Sequence, residues 1–374
     1  MKQLMPWTIA RYLGQEFLIA VGLVLGGLLA LVFLVDVIEM LRQHLDQNGL
    51  TWSMLVGMSI LKMPSLAQKI IPFAVFFGAM WTFFRMTRTS ELVVARAAGL
   101  SVWQFLGPAL AIAVGGGILI VTVVNPVSAA LTARYTTLEA KYIRGERSLL
   151  AVAKTGLWLM QTDHDPDVPG KEIARTIVHA LKVSDQALEL EEVIIFRLSP
   201  SGGLLERIDA ASATLVEPNW ELKSARITVA DEDPVLEESY VLPTTITREQ
   251  IRESFASPET YSFWQLPRFI ELAEAAGFSA LRHRQYFQSL IALPVLLGAM
   301  VLVAANFSIR FTRQGGRVQL TVLGLLTAFL IFFLTDFAAA LGQSGVVPVV
   351  LAAWFPTGLA VALGANMLLH SEDG

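Results

Sequence analysis

Three polar residues share one side of an otherwise apolar segment. Lys62, Ser65 and Lys69 follow i, i+3, i+7 spacing, so a helix places them on one face, with the two lysines about 10 Å apart. Two ammonium groups at that separation could bind two phosphates of one anionic lipid. A lysine in a membrane span is costly unless it snorkels to the head groups or pairs with an anion. The pattern therefore indicates either snorkelling lysines or a site for an anionic lipid head group.

Further charged residues are expected at the same level of the membrane. Asp36 and Asp336 fall near the ends of apolar segments, and Arg134 and Arg282 lie just outside such segments. The two carboxylates could hold the lysines until a lipid exchanges them for its phosphates. In that hypothesis the lysines and arginines contact the head group. Ion pairing and snorkelling alone are the simpler explanation.

The composition is that of a membrane protein. Of 374 residues, 54% are hydrophobic and 16% are charged, whereas soluble domains carry about 25% charged residues. The net charge of −4 and the lack of a basic block argue against a nucleic-acid partner. The chain has no cysteine, which excludes disulfides and thiolate metal sites.

Six segments have the roughly 20 apolar residues that a membrane span needs. They are grouped as three spans, a long insert and three further spans, at about 13–35, 64–84, 103–124, 286–306, 318–339 and 348–369. The first is expected to stay as a span, because no small-residue cleavage site follows it. The resulting domains are 1–126, 127–262 and 263–374.

The basic residues around the spans predict the orientation of the chain. Short cytoplasmic segments are rich in lysine and arginine. On one side only Arg42 is basic, and on the other side stand Lys2, Arg11, Arg85, Arg88, Arg96, Arg310, Arg313 and Arg317. Both termini are therefore expected in the cytoplasm, and the long insert outside it.

The insert is predicted to be an all-β domain with helices at both ends. Six short runs rich in β-branched and aromatic residues alternate with turn signals, as in a β-sandwich or jelly roll. The inward residues of "WELKSARITVA" would line an apolar interior, and an exposed sheet edge could pair with a neighbour. The acidic turn at 163–167, which includes His164, could bind a cation, but a simple turn is favoured because the EF-hand glycine and glutamate are missing.

The stretch "SELVVARAAGLS" lies between the second and third spans. Ser90 and Glu91 suit the start of a short helix, and Gly99 suits its end, which predicts a helix within 88–100. Apolar residues such as Leu92 surround this helix on all sides, so one side can pack on the spans while another meets a partner. A partner ATPase would be such a protein; a membrane-surface helix without a partner is the equal alternative.

No enzyme motif supports catalysis by this chain. It lacks GxxxxGK[ST], HExxH and GxSxG, so a separate chain would have to bind ATP. We therefore expect a non-enzymatic transporter subunit that needs no cofactor of its own.

The whole chain resembles the lipopolysaccharide export permease family, LptF and LptG. The resemblance rests on the three-span, β-insert, three-span layout and on four motifs, "SELVVARAAGLS", "FLVDVIEML", "QKIIPFAVFFGAM" and "FFLTDF". "FLVD" and "FFLTDF" look more like LptG, while "RQGGRV" at 313–318 is similar to a loop of LptF. The family is thus matched throughout, with a closer likeness to LptG.

The resemblance implies an inner-membrane subunit of a Gram-negative bacterium. Its partners would be an LptF-like permease, two copies of an LptB-like ATPase, and LptC-like and LptA-like proteins of a periplasmic bridge. The complex would extract lipopolysaccharide from the outer leaflet and pass it to that bridge. The short helix would be the coupling helix that meets the ATPase, with Ser90, Glu91, Leu92, Arg96 and Gly99 at the contact.

A second function is compatible with the same sequence. The chain could be a mechanical transmitter that relays ATPase motion to a periplasmic domain without moving lipid. Many relatives carry a lysine near the outer end of the first span, where this chain has Phe33 and Leu34. Lys62 and Lys69 could take over that contact if lipid is moved.

Overall fold

The computed structural model describes most of the chain, in eleven stretches. These are residues 7–44, 51–142, 157–164, 172–184, 189–200, 203–216, 218–229, 233–244, 257–275, 279–308 and 317–372. The chain divides into two compact units. One comprises Met1–Tyr135, Pro258–Leu266 and Leu281–Gly374, and the other comprises Thr136–Ser257 and Pro267–Ala280.

The helices account for all six predicted spans. In chain order they are α1 (Trp7–His44), α2 (Trp52–Arg88), α3 (Glu91–Ala97), α4 (Val102–Leu119), a π-helical turn (Ile120–Val124), α5 (Asn125–Tyr142), α6 (Leu266–Ala275), α7 (Leu281–Ser308), α8 (Arg317–Gln343) and α9 (Val349–Glu372). Within the described residues, six helical stretches are long and apolar enough to cross a membrane. The α4 stretch runs through the π-helical turn into α5, so the predicted outward continuation of the third span is present.

The core of the helical unit is built around α7. Of its most apolar stretch, 83% is buried, against 6% for α1. Helix α4 approaches α7 closely at Gly117. A Cβ at that position would stand only 2.6 Å from Cα of Pro294 in α7. By contrast, α1 and α8 expose large apolar side chains such as Leu23, Leu31 and Phe333. These two helices, the least buried of the spans, are therefore free to face lipid or another chain.

Gly78 permits the close crossing of α1 and α2. A Cβ at this position would stand 2.8 Å from both Cα and N of Val21, which are backbone atoms that cannot turn aside. We expect Gly78→Ala to lower the free energy of unfolding by about 1–3 kcal/mol through overpacking. Thermal or denaturant unfolding of the purified chain in detergent measures this. Gly27→Ala on α1, where nothing lies within 4 Å, is the matched control and should be neutral or slightly stabilising. Equal effects at both glycines would contradict the prediction.

The β unit contains a six-stranded antiparallel sheet. Its strands are β1 (Leu157–His164), β2 (Glu172–Ser184), β3 (Glu189–Leu198), β4 (Leu204–Val216), β5 (Asn219–Val229) and β6 (Val235–Pro243). Each strand pairs with the next in the chain, whereas a jelly roll usually joins its strands as two Greek keys. The predicted all-β insert within a helical membrane protein is confirmed. Asp165 and Asp167 of the acidic turn lie outside the described residues.

A bend line crosses the middle of this sheet. Glu192 in β3 and Ser224 in β5 have φ of 54°, in the left-handed region that non-glycine residues rarely adopt. On β3 to β5, two consecutive residues point away from the core at this line, and the inward set then shifts by one residue. As a result Trp220, Leu222 and Ala225 are all fully buried. The inward residues of β5 thus fill an apolar core, although strict alternation would have placed Ser224 inward instead of Ala225.

Candidate functional site

Two ion pairs join α1 to α2 at opposite ends. The Nζ of Lys62 lies 2.8 Å from Oδ1 of Asp36, and Arg85 pairs with Glu16. Twenty residues separate Glu16 from Asp36, which is about 30 Å of helix and about the thickness of a hydrocarbon core. The two pairs therefore mark two levels that match the two faces of a membrane.

The second lysine has a partner that the sequence did not suggest. The Nζ of Lys69 lies 2.7 Å from Oε1 of Glu259, and the Ser65 hydroxyl donates to Oε2 of the same carboxylate at 3.0 Å. Lys62, Ser65 and Lys69 therefore all face acidic partners, as expected from residues on one helix face. The expectation that Asp336 would hold a lysine is wrong, because Glu259 takes that place.

Glu259 belongs to a short segment, residues 258–266, that packs with the spans. We call it the strap. It begins with the 3-10 turn Pro258–Thr260 and ends where α6 starts. Within the strap, the ring of Phe263 stacks on the ring of Phe287 in α7, with the two ring centroids 5.3 Å apart. In the prediction from sequence, these residues fall at the end of the β insert and in the following helix, because the segment is too short to be a span.

The side chain of Asn125, in α5, links the strap to α2 and α7. It is 1% exposed and accepts a hydrogen bond from the N–H of Phe263 at 2.7 Å. Its amide donates to Oε1 of Gln68 at 3.2 Å and to the hydroxyl of Tyr286 at 3.0 Å. One buried side chain thus satisfies groups on α2, α7 and the strap at once.

The π-helical turn before Asn125 has a local cause. Pro126 has no N–H to donate to the carbonyl of Thr122, four residues earlier. The indole N–H of Trp264 in the strap donates to that carbonyl instead, at 3.1 Å, while the N–H of Asn125 bonds five residues back to Ile120. Such turns often occur at functional sites, and this one provides a second anchor for the strap.

The remaining predicted head-group residues stand at the surface. Arg134 and Arg282 are exposed, and neither has an ion pair within the described part of the chain. Asp336 is also exposed, on the face of α8 that carries Phe333 and Phe337. The structure therefore brings together Lys62 with Asp36 and Lys69 with Glu259, and leaves Arg134, Arg282 and Asp336 apart from these pairs.

At the other end of the bundle, α3 is anchored on one side only. Leu92 is buried in the helical core, while Val93 and Val94 are 52% and 67% exposed, and Arg96 is exposed too. Gly99 has φ of 84° and ends the helix, so α3 is shorter than the predicted range. Two exposed valines beside a charged residue form a small apolar surface, which we call the α3 face.

The start of α3 differs from the expected cap. Ser90 has φ of 62° and makes no capping bond with its side chain. Instead Oγ1 of Thr89 donates to Oε1 of Glu91 at 2.8 Å, and Tyr12 of α1 lies near the Glu91 carboxylate. Ser101, in contrast, caps α4 through a reciprocal bond pair with Gln104. The Glu91 carboxylate is therefore held at the start of α3 by Thr89 while remaining partly exposed.

The fold defines a multi-pass membrane protein with an inserted β domain, whose polar side chains gather at both ends of the spans. The family model for the lipopolysaccharide export system permease LptF/LptG matches residues 11–370. The chain is 23% identical, over 98% of its own length and 99% of the relative's, to the lipopolysaccharide export system permease protein LptG of Haemophilus influenzae.

The chain belongs to the LptF/LptG family of lipopolysaccharide export permeases. The resemblance seen in its motifs is thereby confirmed, and the relative bears the LptG name that "FLVD" and "FFLTDF" favoured. A permease component of the lipopolysaccharide export system is consequently the class of protein to which the lysine pairs and the α3 face belong.

Proposed function

We propose that this chain is the LptG-like subunit of an ATPase-driven exporter. It extracts lipopolysaccharide from the outer leaflet of the inner membrane and passes it to a periplasmic bridge. The observation that carries the proposal is the pair of lysines on one face of α2, each held by a carboxylate near the end of the spans. A purely mechanical transmitter has no need for cations at that level.

The orientation in this proposal places both termini in the cytoplasm and the β unit in the periplasm. Arg85, Arg88 and Arg96 cluster at one end of α2 and on α3, which is the cytoplasmic end by the distribution of basic residues. The level of Asp36 and Lys62 is then the periplasmic side of the membrane. Lipopolysaccharide phosphates lie at this level when the lipid is in the outer leaflet.

The α3 face is the docking surface for the ATPase in this proposal. Leu92 is buried in the core and fixes the helix there, so a displacement of Val93 and Val94 by the ATPase is transmitted to the spans. The ATPase subunits, as two LptB-like copies, bind the ATP, and this chain holds no cofactor. Ser90, Glu91, Arg96 and Gly99 shape or flank the contact.

The other partners follow from surfaces that the chain leaves open. The exposed apolar faces of α1 and α8 suit a second, LptF-like permease subunit with lipid between the two. The edge strands β1 and β6 suit strand addition by LptC-like and LptA-like bridge proteins. Arg134 and Arg282, as exposed cations, would contribute further head-group contacts.

The lysines supply the test of lipid binding. Replacing Lys62 and Lys69 together by glutamine removes two charge-assisted contacts, each worth about 1 kcal/mol at exposed sites. We expect the purified complex to bind lipopolysaccharide about thirtyfold more weakly and to lose lipid-stimulated ATPase activity, with basal activity retained. Lys223→Gln, an exposed lysine of β5, is the matched control. Unchanged lipid affinity in the double variant would leave only snorkelling as the explanation for these lysines.

A further inference from the structure

Two of the strap's attachments to the spans differ in physical character. At one point, Glu259 pairs with Lys69, and these side chains are 30% and 59% exposed. At the other, Asn125 is 1% exposed and bonds the N–H of Phe263. Exposed ion pairs contribute only about 0.2–1 kcal/mol, whereas an unpaired buried N–H is costly. The first attachment is thus easily exchanged, and the second is not.

Glu259 occupies the position that a phosphate would need. Its carboxylate contacts Lys69 at 2.7 Å and accepts from Ser65 at 3.0 Å. Two oxygens of one phosphate can accept these two bonds, as the two carboxylate oxygens do, with at least the same charge. The carboxylate and an incoming phosphate therefore compete for one cation and one hydroxyl.

We propose that Glu259 is an exchangeable counter-ion: a phosphate that binds Lys69 displaces Glu259 and frees the Pro258–Thr260 turn, while Asn125 keeps the rest of the strap in place. Because the two anions exclude each other, phosphate binding and docking of the turn are reciprocally coupled. This inference rests on the proposed function, since it assumes that Lys69 meets lipid phosphate.

Two backbone amides make the proposal measurable. The N–H of Tyr261 bonds to the carbonyl of Pro258 at 3.2 Å and closes the turn, while the N–H of Phe263 bonds to Asn125. Displacement of Glu259 should open the first bond and leave the second. Hydrogen exchange resolved to single amides therefore separates loosening of the turn from release of the whole strap.

The experiment uses the full permease complex in phosphatidylcholine nanodiscs, with and without phosphatidylglycerol. We expect phosphatidylglycerol to speed exchange at Tyr261 about threefold and to leave Phe263 unchanged. An equal response to inorganic phosphate in plain phosphatidylcholine discs would support exchange by phosphate as such, and a response to phosphatidylglycerol alone would support a lipid head group. An unchanged Tyr261 amide, or a joint rise at Tyr261 and Phe263, would overturn the proposal.

Three variants complete the test. In Glu259→Gln, exchange at Tyr261 should already be fast and should no longer respond to phosphatidylglycerol. Lys69→Gln should show the same fast exchange, because it breaks the pair from the other side. Glu271→Gln removes an exposed carboxylate of α6 and should behave as wild type. A wild-type response of the Tyr261 amide in Glu259→Gln would contradict the role of Glu259 as an exchangeable counter-ion. This would hold even if the double lysine variant binds lipopolysaccharide more weakly, so this failure is distinct from failure of the proposed function.

Discussion

Glu91→Lys is expected to leave the protein inserted in the membrane but to abolish ATPase-coupled export. The substitution replaces the acceptor of the hydrogen bond from Thr89 by an ammonium group that cannot accept it. It also places a cation next to Arg85 and Arg88. The start of α3 should therefore lose its fixed position, and the α3 face should lose its orientation toward the ATPase. Co-purification with the ATPase and export from proteoliposomes measure the two losses.

Glu91→Gln separates the charge of Glu91 from its hydrogen bond. Glutamine can still accept from Thr89 but carries no charge. If positioning of α3 is the main role, export by Glu91→Gln should stay within about threefold of wild type; if the ATPase reads the charge, it should fall as in Glu91→Lys. Normal export and normal co-purification in Glu91→Lys would contradict a coupling role for α3.

Asn125→Leu is expected to cause the largest loss of stability among single substitutions in the spans. The side chains are similar in size, so the core stays filled, but three partly buried groups lose their bonds: the N–H of Phe263, Oε1 of Gln68 and the hydroxyl of Tyr286. Each buried group left unpaired costs about 1–3 kcal/mol. The free energy of unfolding in detergent should fall by at least about 3 kcal/mol, with a matching drop in Tm.

Thr122→Val provides the control for Asn125→Leu on the same turn of chain. The hydroxyl of Thr122 bonds only to the carbonyl of Ile118 within its own helix, and its backbone carbonyl remains to accept from Trp264. Its effect should lie within about 0.5 kcal/mol of wild type. A change of that small size in Asn125→Leu as well would show that the hydrogen bonds of Asn125 contribute little.

The six spans and the six strands were predictable from the sequence, because each depends on local properties. Apolar length alone identifies a span, and β-branched residues with turn signals identify strands. The same holds for the shared face of Lys62, Ser65 and Lys69, which follows from helical geometry, and for the stop at Gly99. The four family motifs are likewise continuous stretches, so the family could be identified from them.

Only the tertiary structure decided which distant groups meet. Glu259 is 190 residues from Lys69 in the chain, and a carboxylate in an aromatic-rich segment gives no sign of its partner. From the sequence, Asn125 is simply the end of a span. In the structure Pro126 has no N–H for the carbonyl of Thr122, and the indole N–H of Trp264 in the strap bonds that carbonyl instead. The bend at Glu192 and Ser224 also escaped the alternation pattern, because a left-handed residue shifts the inward set without changing the composition. Local sequence determines elements and their faces; ion pairs, buried hydrogen bonds and bends depend on chain segments that only folding brings together.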